Sequence, residues 1–303
     1  MTRAGLSFGI ETSQAALGYR EILSTWQEAD SLSVFEQAFL PDRAAPPSHP
    51  ARARELEAWT LLGALSARTS RLRLGVIGSD NRLRPPAVLA KLAATVDVVS
   101  GGRLVFGVRA GGDPGAGGPG ERHDGEPGEG AAGKGAAGDV VGALAEALVI
   151  ARRMWTEPEP FDFDGRFYRL RGAVCEPKPL QRPGPTVLVC AGAGQAELQI
   201  VAEQADVWCC PASSPTALAR MGAALEERCA EIGRDPETIA RCVRLAVSGG
   251  RDGAKRARER VLAFASAGAT KVVLAGPSGQ ARWRSSASWL AEEVVQPVLD
   301  RLG

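Results

Sequence analysis

The sequence predicts a (β/α)8 barrel. Three observations predict it: eight short, mostly apolar runs, helical patterns between them, and a length of 303 residues. A barrel of this kind takes about 250 residues, which leaves room for insertions. Strands of a parallel sheet are covered on both faces, so they read as continuous apolar runs rather than alternating ones. Strict strand–helix alternation gives either a closed barrel or an open doubly wound sheet, and eight repeats favour the barrel.

The runs come in order as Leu6–Ile10, Val34–Leu40, Leu72–Ile77, Leu104–Arg109, Thr186–Ala191, Asp206–Cys210, Arg241–Val247 and Lys271–Ala275. Between the second and third, Glu55–Ala67 places Leu56, Trp59, Leu62 and Leu65 near one helical face. Pro85 and Pro86 suit the first turn of the next helix, which turns Leu89, Leu92 and Val96 inward. Ser100-Gly101-Gly102 ends that helix and feeds the fourth run. Glu197–Glu203, Thr216–Ile232 and Ala254–Ala267 fill later helical slots. The Trp residues at helical positions (Trp26, Trp59, Trp155, Trp283, Trp289) read as packing, while Trp208, on a strand, can face either way.

Two insertions interrupt the alternation. Gly111–Gly138 follows the fourth run and holds 12 Gly and 3 Pro in 28 residues, with no Val, Ile, Leu, Met or aromatic residue. Such a tract cannot bury enough apolar surface to offset its ordering entropy, so a mobile loop is expected. Phe161–Leu170 carries Asp164-Gly165 between two aromatic-rich runs, a hairpin signal. Residues 1–303 are otherwise expected to form one domain.

Composition narrows the function. Hydrophobic residues make up 45% of the chain and charged ones 23%, enough for a sizeable core. A net charge of +1 gives no reason to expect a nucleic-acid or membrane partner. No run approaches the roughly 18 apolar residues of a membrane span. The opening MTRAGLSFGIETS lacks the apolar core of a signal peptide, so a cytoplasmic location is expected. Six cysteines (Cys175, Cys190, Cys209, Cys210, Cys229, Cys242) form no CxxC pair, and His49 and His123 are the two histidines. A zinc site would need scattered ligands, so no metal is expected, and most of these cysteines read as small core residues.

In such barrels the chemistry sits where the strands end. Those ends carry Asp42 and Arg43 after the second run, Gly78–Arg84 after the third, Arg109-Ala110-Gly111-Gly112 after the fourth and Ala191-Gly192-Ala193-Gly194 after the fifth. The last is a Gly-rich turn opening a helix, which presents unpaired N–H groups to an anion such as phosphate. A short Gly motif is a weak signal, and the turn alone reads more readily as a tight strand–helix connection with no ligand. Arg43, Arg82 and Arg84 either grip an anion or are solvated surface charges. Arg109 ends an apolar strand near the barrel mouth. It needs a carboxylate (Asp42 or Glu36), a bound anion or water.

The segment ELEAWTLLGALSARTSRLRLGVIGSDNRLRPPAVLAKLAATVDVVSGGRLVFGV resembles the luciferase-like monooxygenase superfamily. More narrowly it resembles enzymes dependent on coenzyme F420, an 8-hydroxy-5-deazaflavin. LAEALVIARRMWTEPEPFDFDGRFYRLRGAVCEPKPLQRPGPTVLVCAG and CAEIGRDPETI are similar to the same group. The resemblance implies a bacterial-luciferase-like barrel, usually a homodimer, acting on a small-molecule substrate. F420 (or FMN) would lie at the ends of the second to fourth strands. It places a strand-three bulge with a non-prolyl cis peptide near Ile77-Gly78 and puts Asn81, Gly107 and Gly111 near the ring. The cofactor phosphate would be held by the Ala191–Gly194 turn, and Asp42, Arg43 and Arg109 stand at the catalytic positions. Three positions depart from the family's pattern. Arg43 stands where a His is common, Arg109 replaces the middle Gly of a Gly-x-Gly-x-Gly, and Gln199 replaces an Arg. Two readings follow: an oxidoreductase passing hydride between the ring and an organic substrate, or a barrel that has lost the cofactor and serves as a non-redox enzyme or binding protein.

Overall fold

The computed structural model describes residues 5–14, 17–42, 55–111, 137–276 and 286–303. Eight parallel strands close a barrel. They are β1 (Ser7–Glu11), β2 (Gln37–Pro41), β3 (Arg73–Asp80), β4 (Leu104–Arg109), β7 (Thr186–Cys190), β8 (Val207–Cys210), β9 (Ala240–Ala246) and β10 (Lys271–Ala275). Around the barrel each strand pairs with its neighbour in the order β1-β10-β9-β8-β7-β4-β3-β2. Every one of the eight apolar runs is therefore a barrel strand. Each begins or ends within a few residues of the expected position.

The remaining two strands, β5 (Phe161–Asp164) and β6 (Arg169–Ala173), form the expected antiparallel hairpin between β4 and β7 in sequence. Asp164 pairs with Arg169, so the loop is the four residues 165–168 rather than a two-residue turn at Asp164-Gly165. The reason lies in helix α4 (Ala137–Thr156). Its Glu146 carboxylate accepts the amides of Arg166, Phe167 and Tyr168 at 2.7, 2.9 and 3.1 Å, and so organises a wider loop.

Helices α2 (Ala58–Ser66), α3 (Pro86–Val99), α5 (Gln195–Gln204), α6 (Pro215–Glu231) and α7 (Gly250–Ser266) fill slots read from the sequence. Pro86 opens α3, and Gly101 and Gly102 close it at φ of 70° and 83°. Helix α1 (Tyr19–Ser31), α4 and the C-terminal helical run over 287–302 add to the outer layer without a clear apolar repeat in the sequence to announce them. In α1 the stripe that seats it is Ile22, Trp26 and Ala29, all fully buried. Residues 112–136 of the Gly-rich tract lie outside the described residues.

The core has two shells. Between barrel and helices lie Trp26, Phe35, Leu62, Phe106, Trp208 and Phe264. Trp208 thus faces outward from β8, and its indole N–H donates to Ala191 O at 2.9 Å. Inside the barrel lie Phe39, Ile77, Val105, Leu188, Val207, Cys209, Cys242 and Val273. The interior admits close strand contact only where side chains vanish. A Cβ on Gly75 would sit 2.3 Å from Val105 O, and one on Gly107 would sit 2.1 Å from Val76 O.

Candidate functional site

The mouth of the barrel is built by an irregularity in β3. Its register against β4 shifts between Val76 and Ser79, with Gly78 at φ +74°. The expected bulge is present. The expected cis peptide is not: among the described residues the cis bonds are Glu176-Pro177 and Arg182-Pro183. A glycine in the left-handed region absorbs the extra residue with both flanking peptides trans. Beyond the bulge, Ser79 turns outward and accepts from the Trp59 indole at 2.8 Å, while Asp80 pairs in register with Arg109 on β4.

Asp80 gathers the charges here. It is 3% exposed, and Arg82 clasps it through Nε at 3.0 Å, an Nη at 2.8 Å and the backbone amide at 2.9 Å. Arg109 approaches it at 3.6 Å. Burial alone would raise its pKa. The hydrogen bonds from Arg82 and the charges of Arg82 and Arg109 outweigh that, and the pKa falls below the ordinary carboxylate value. The partner expected for Arg109 was Asp42 or Glu36, and neither holds it. Asp42, buried after β2, is taken by Arg84 at 2.7 Å, which also binds Glu57. Glu57 in turn caps α2 through the amides of Trp59 and Thr60. Glu36 lies at the opposite end of the barrel, in a cleft of about 550 Å³ shared with Arg241 and Lys271. Arg82 and Arg84 are thus neither simple solvated charges nor free grips for a ligand. Arg43 lies outside the described residues.

The cofactor positions divide into two groups. Ile77, Gly78, Gly107 and Arg109 come together at the mouth. A Cβ on Gly78 would meet Arg109 Cδ at 3.4 Å and Cys190 Sγ at 3.2 Å. Gly111, at φ +124°, passes under Arg82, whose Nε would lie 2.5 Å from a Cβ there. Asn81 donates to the Tyr168 hydroxyl at 3.0 Å and so ties the hairpin to the end of β3. The second group is the turn Ala191-Gly192-Ala193-Gly194, with Gly194 capping α5. The side chain of Glu197, in the first turn of α5, folds back over this turn. Its Oε2 would lie 2.9 Å from a Cβ on Gly192 and 3.1 Å from one on Gly194. The helix N-terminus already has a carboxylate beside it. Gln199 points elsewhere, onto Glu203.

Several residues of the mouth escape a strand-end reading. Glu11, at the end of β1, is 3% exposed and paired with Arg244 of β9. Cys190 and Cys209 face the interior beside Arg109 and Arg244. Tyr168 arrives from the hairpin. Glu11 directly follows the first apolar run and Cys190 is the last residue but one of the fifth, the signal that could have singled them out.

A family model for luciferase-like monooxygenases matches residues 5–296. The chain belongs to this family. Among curated luciferase-like relatives, a phthiodiolone/phenolphthiodiolone dimycocerosates ketoreductase from Mycobacterium sp. (strain JLS) is 32% identical over 196 residues, 63% of this chain and 48% of that protein. A pyrimidine monooxygenase, RutA of Escherichia coli, is 30% identical over 183 residues, 59% of this chain and 43% of that protein. The chain therefore spans less than half the length of these relatives. Among solved structures, an F420-dependent secondary alcohol dehydrogenase in complex with an F420-acetone adduct superposes with a TM-score of 0.78 at 17% identity, covering 97% of this chain and 99% of that one. At that identity the likeness shows the shared luciferase-like barrel. Among the described residues no helix is long and apolar enough to cross a membrane, and no group of three or more His, Cys, Asp or Glu is disposed to hold a metal ion.

Proposed function

We propose that this chain is a flavin-class oxidoreductase that passes hydride between coenzyme F420 (or, alternatively, FMN) and a small organic substrate at the barrel mouth. Carbonyl–alcohol interconversion is the reaction that the ketoreductase and the secondary alcohol dehydrogenase share by name. The oxygenating variant is the one named by the pyrimidine monooxygenase. The observation that carries the reading is the floor of the mouth, where the Gly78 bulge and Gly107 bring backbone together beside the guanidinium of Arg109.

The ring half of the site fits such a cofactor. Arg109 keeps 17% of its side chain exposed, and a guanidinium stacks well on a flat π-system. Positive charge there also favours an electron-rich reduced ring. The tail half fits with one adjustment. A phosphate on the Gly192–Gly194 turn would meet the Glu197 carboxylate, so that side chain must rotate off the turn. When bound, the ring supplies the two-electron chemistry that side chains lack. The chain's own residues do the rest by positioning. Asp80 fixes Arg109, Arg84 fixes Asp42, and the Asn81–Tyr168 hydrogen bond holds the hairpin at the mouth. Arg43, next to Asp42, is assigned the stabilisation of negative charge developing on the substrate.

A second reading has its own observation. The pair of Arg109 with buried Asp80 occupies space that the family's pattern leaves to glycine. On this reading the barrel holds no cofactor and its arginines serve an anionic ligand. Titrating the purified protein with F420 and with FMN decides. The redox reading expects binding by the wild type, weaker binding by Arg109→Gly, which loses the stacking guanidinium, and tighter binding by Glu197→Gln. No binding of either compound by the wild type sinks the redox reading.

A further inference from the structure

Seven barrel positions share one register row: Asp80, Arg109, Cys190, Cys209, Cys242, Lys271 and Ser7, on β3, β4, β7, β8, β9, β10 and β1. Partners in a parallel ladder project to the same face, and here that face is the barrel interior. The row descends from the mouth, at Arg109, to the opposite end, where Lys271 Nζ meets Ser7 Oγ at 3.0 Å. Its middle is three thiols in adjacent strands. Cys209, the central one, is paired in register with Cys190 on one side and Cys242 on the other, and the Arg244 guanidinium lies near it.

The three thiols form no metal site. They run side by side along the ladder instead of converging on a point. What the row offers is sulfur within reach of sulfur. Neighbouring strands hold paired Cα atoms about 4.8 Å apart, inside the roughly 4.4–6.8 Å window of a disulfide. Access is graded: Cys190 is partly exposed, Cys209 is 7% exposed and Cys242 is closed off.

We propose that Cys209 and Cys190 are a hydroperoxide-reactive thiol pair, with Cys209 the attacking sulfur and Cys190 the one that closes the disulfide. Cys209 has a thiol on either side, and Arg244, two residues past Cys242 on β9, shares their inward face; together they draw the Cys209 thiol well below its ordinary range. Cys190 is pushed up by the neighbouring Cys209 and by burial. A sulfur drawn toward the thiolate is the reactive kind, and the partly exposed Cys190 beside it brings the pair nearest to solvent. Its sequence neighbour Cys210 faces the outer shell, where burial pushes it up to about 12, so it serves as an inert internal control.

The oxidant is hydrogen peroxide or an organic hydroperoxide entering through the mouth. Cys209 sulfur attacks the terminal oxygen. The O–O bond breaks, an S–O bond forms, and water or an alcohol departs with a proton. Cys209 is then a sulfenic acid. Cys190 gives up its thiol proton and attacks that sulfur, the S–O bond breaks, and the hydroxide leaves as water. Two thiols and one hydroperoxide become one disulfide, one water and one further water or alcohol.

The test uses the full chain. The protein is treated with a slight excess of hydrogen peroxide at neutral pH, alkylated, digested without reductant and mapped by mass spectrometry. The expected product is a Cys190–Cys209 link with Cys210 alkylated. In Cys190→Ser, dimedone should label Cys209. Cys190→Ala repeats this arm if the serine variant fails to fold, and the wild-type map needs no variant. The proposal is overturned if all six cysteines stay free, if the link joins Cys209 to Cys242, or if dimedone leaves Cys209 unlabelled when Cys190 is replaced.

Discussion

Asp80 shows what a single residue does at this mouth and why it is hard to see in a sequence. The segment GSDNRLR directs attention to its arginines, yet both Arg82 and Arg109 are held by the acid among them. Strand alternation would assign facing residue by residue. The bulge at Gly78 inserts one residue, and the count is lost at the point where the site begins. The same shift explains why Asp42 could be mistaken for the partner of Arg109. Removing one member of a buried ion pair strands the other, so Asp80→Asn is expected to lower stability by about 3 kcal/mol at neutral pH. The lowered pKa of Asp80 adds a second readout. Its contribution is present above the unfolded value near 3.9 and is lost as pH falls through the folded value. Urea unfolding from pH 7 down to about pH 2 should show wild type losing its advantage over Asp80→Asn below about pH 4. A variant difference that stays constant across that range would refute the assignment.

At the scale of elements, the strands were legible because burial on both faces leaves an unbroken apolar run, as in LVFGV or KVVLA. Helix α1 was harder to read because YREILSTWQEADS is half polar and its stripe is three residues. The hairpin was legible as an element but its loop was not, since the partner that shapes it is Glu146, far away in sequence. That carboxylate satisfies three loop amides at once, and it is packed closely enough that a Cβ on Gly165 would sit 2.3 Å from it. The link continues from Tyr168 to Asn81, so α4, the hairpin and the end of β3 are one connected piece. Glu146→Ala leaves three amides without their acceptor, at a cost of about 2 kcal/mol. Hydrogen exchange at residues 166–168 should then rise at least tenfold, while exchange in β4 and β7 stays as in wild type. Unchanged protection of the loop would mean that some other contact holds it.

For the molecule as a whole, the question left by a closed barrel is what its outer surface does. Four of the six tryptophans do not answer it. Trp26, Trp59, Trp155 and Trp208 are all buried, and each indole N–H finds an internal acceptor, at Thr12, Ser79, Ala90 and Ala191 respectively. None of these four offers a partner a contact, so the homodimer that the family resemblance implies needs another surface. Three large apolar side chains are exposed on residues beside the Arg84–Glu57 ion pair or a few positions from it: Leu56 at 41%, Leu83 at 42% and Val88 at 50%. Leu56 precedes Glu57 and Leu83 precedes Arg84, and those two charged neighbours are bonded to each other. Val88 lies in the first turn of α3, four residues past Arg84. An apolar group beside a polar contact is the anatomy of an interface core and rim. A second copy of the chain is the occupant expected, across an interface of about 1,200–2,000 Å². Light scattering at micromolar concentration should give twice the chain mass for wild type. Leu83→Glu combined with Val88→Glu should give the mass of one chain with the circular dichroism of the folded barrel intact, because neither side chain contributes to the core. A wild type that already scatters as a single chain overturns the dimer, and a double variant that remains dimeric moves the interface elsewhere.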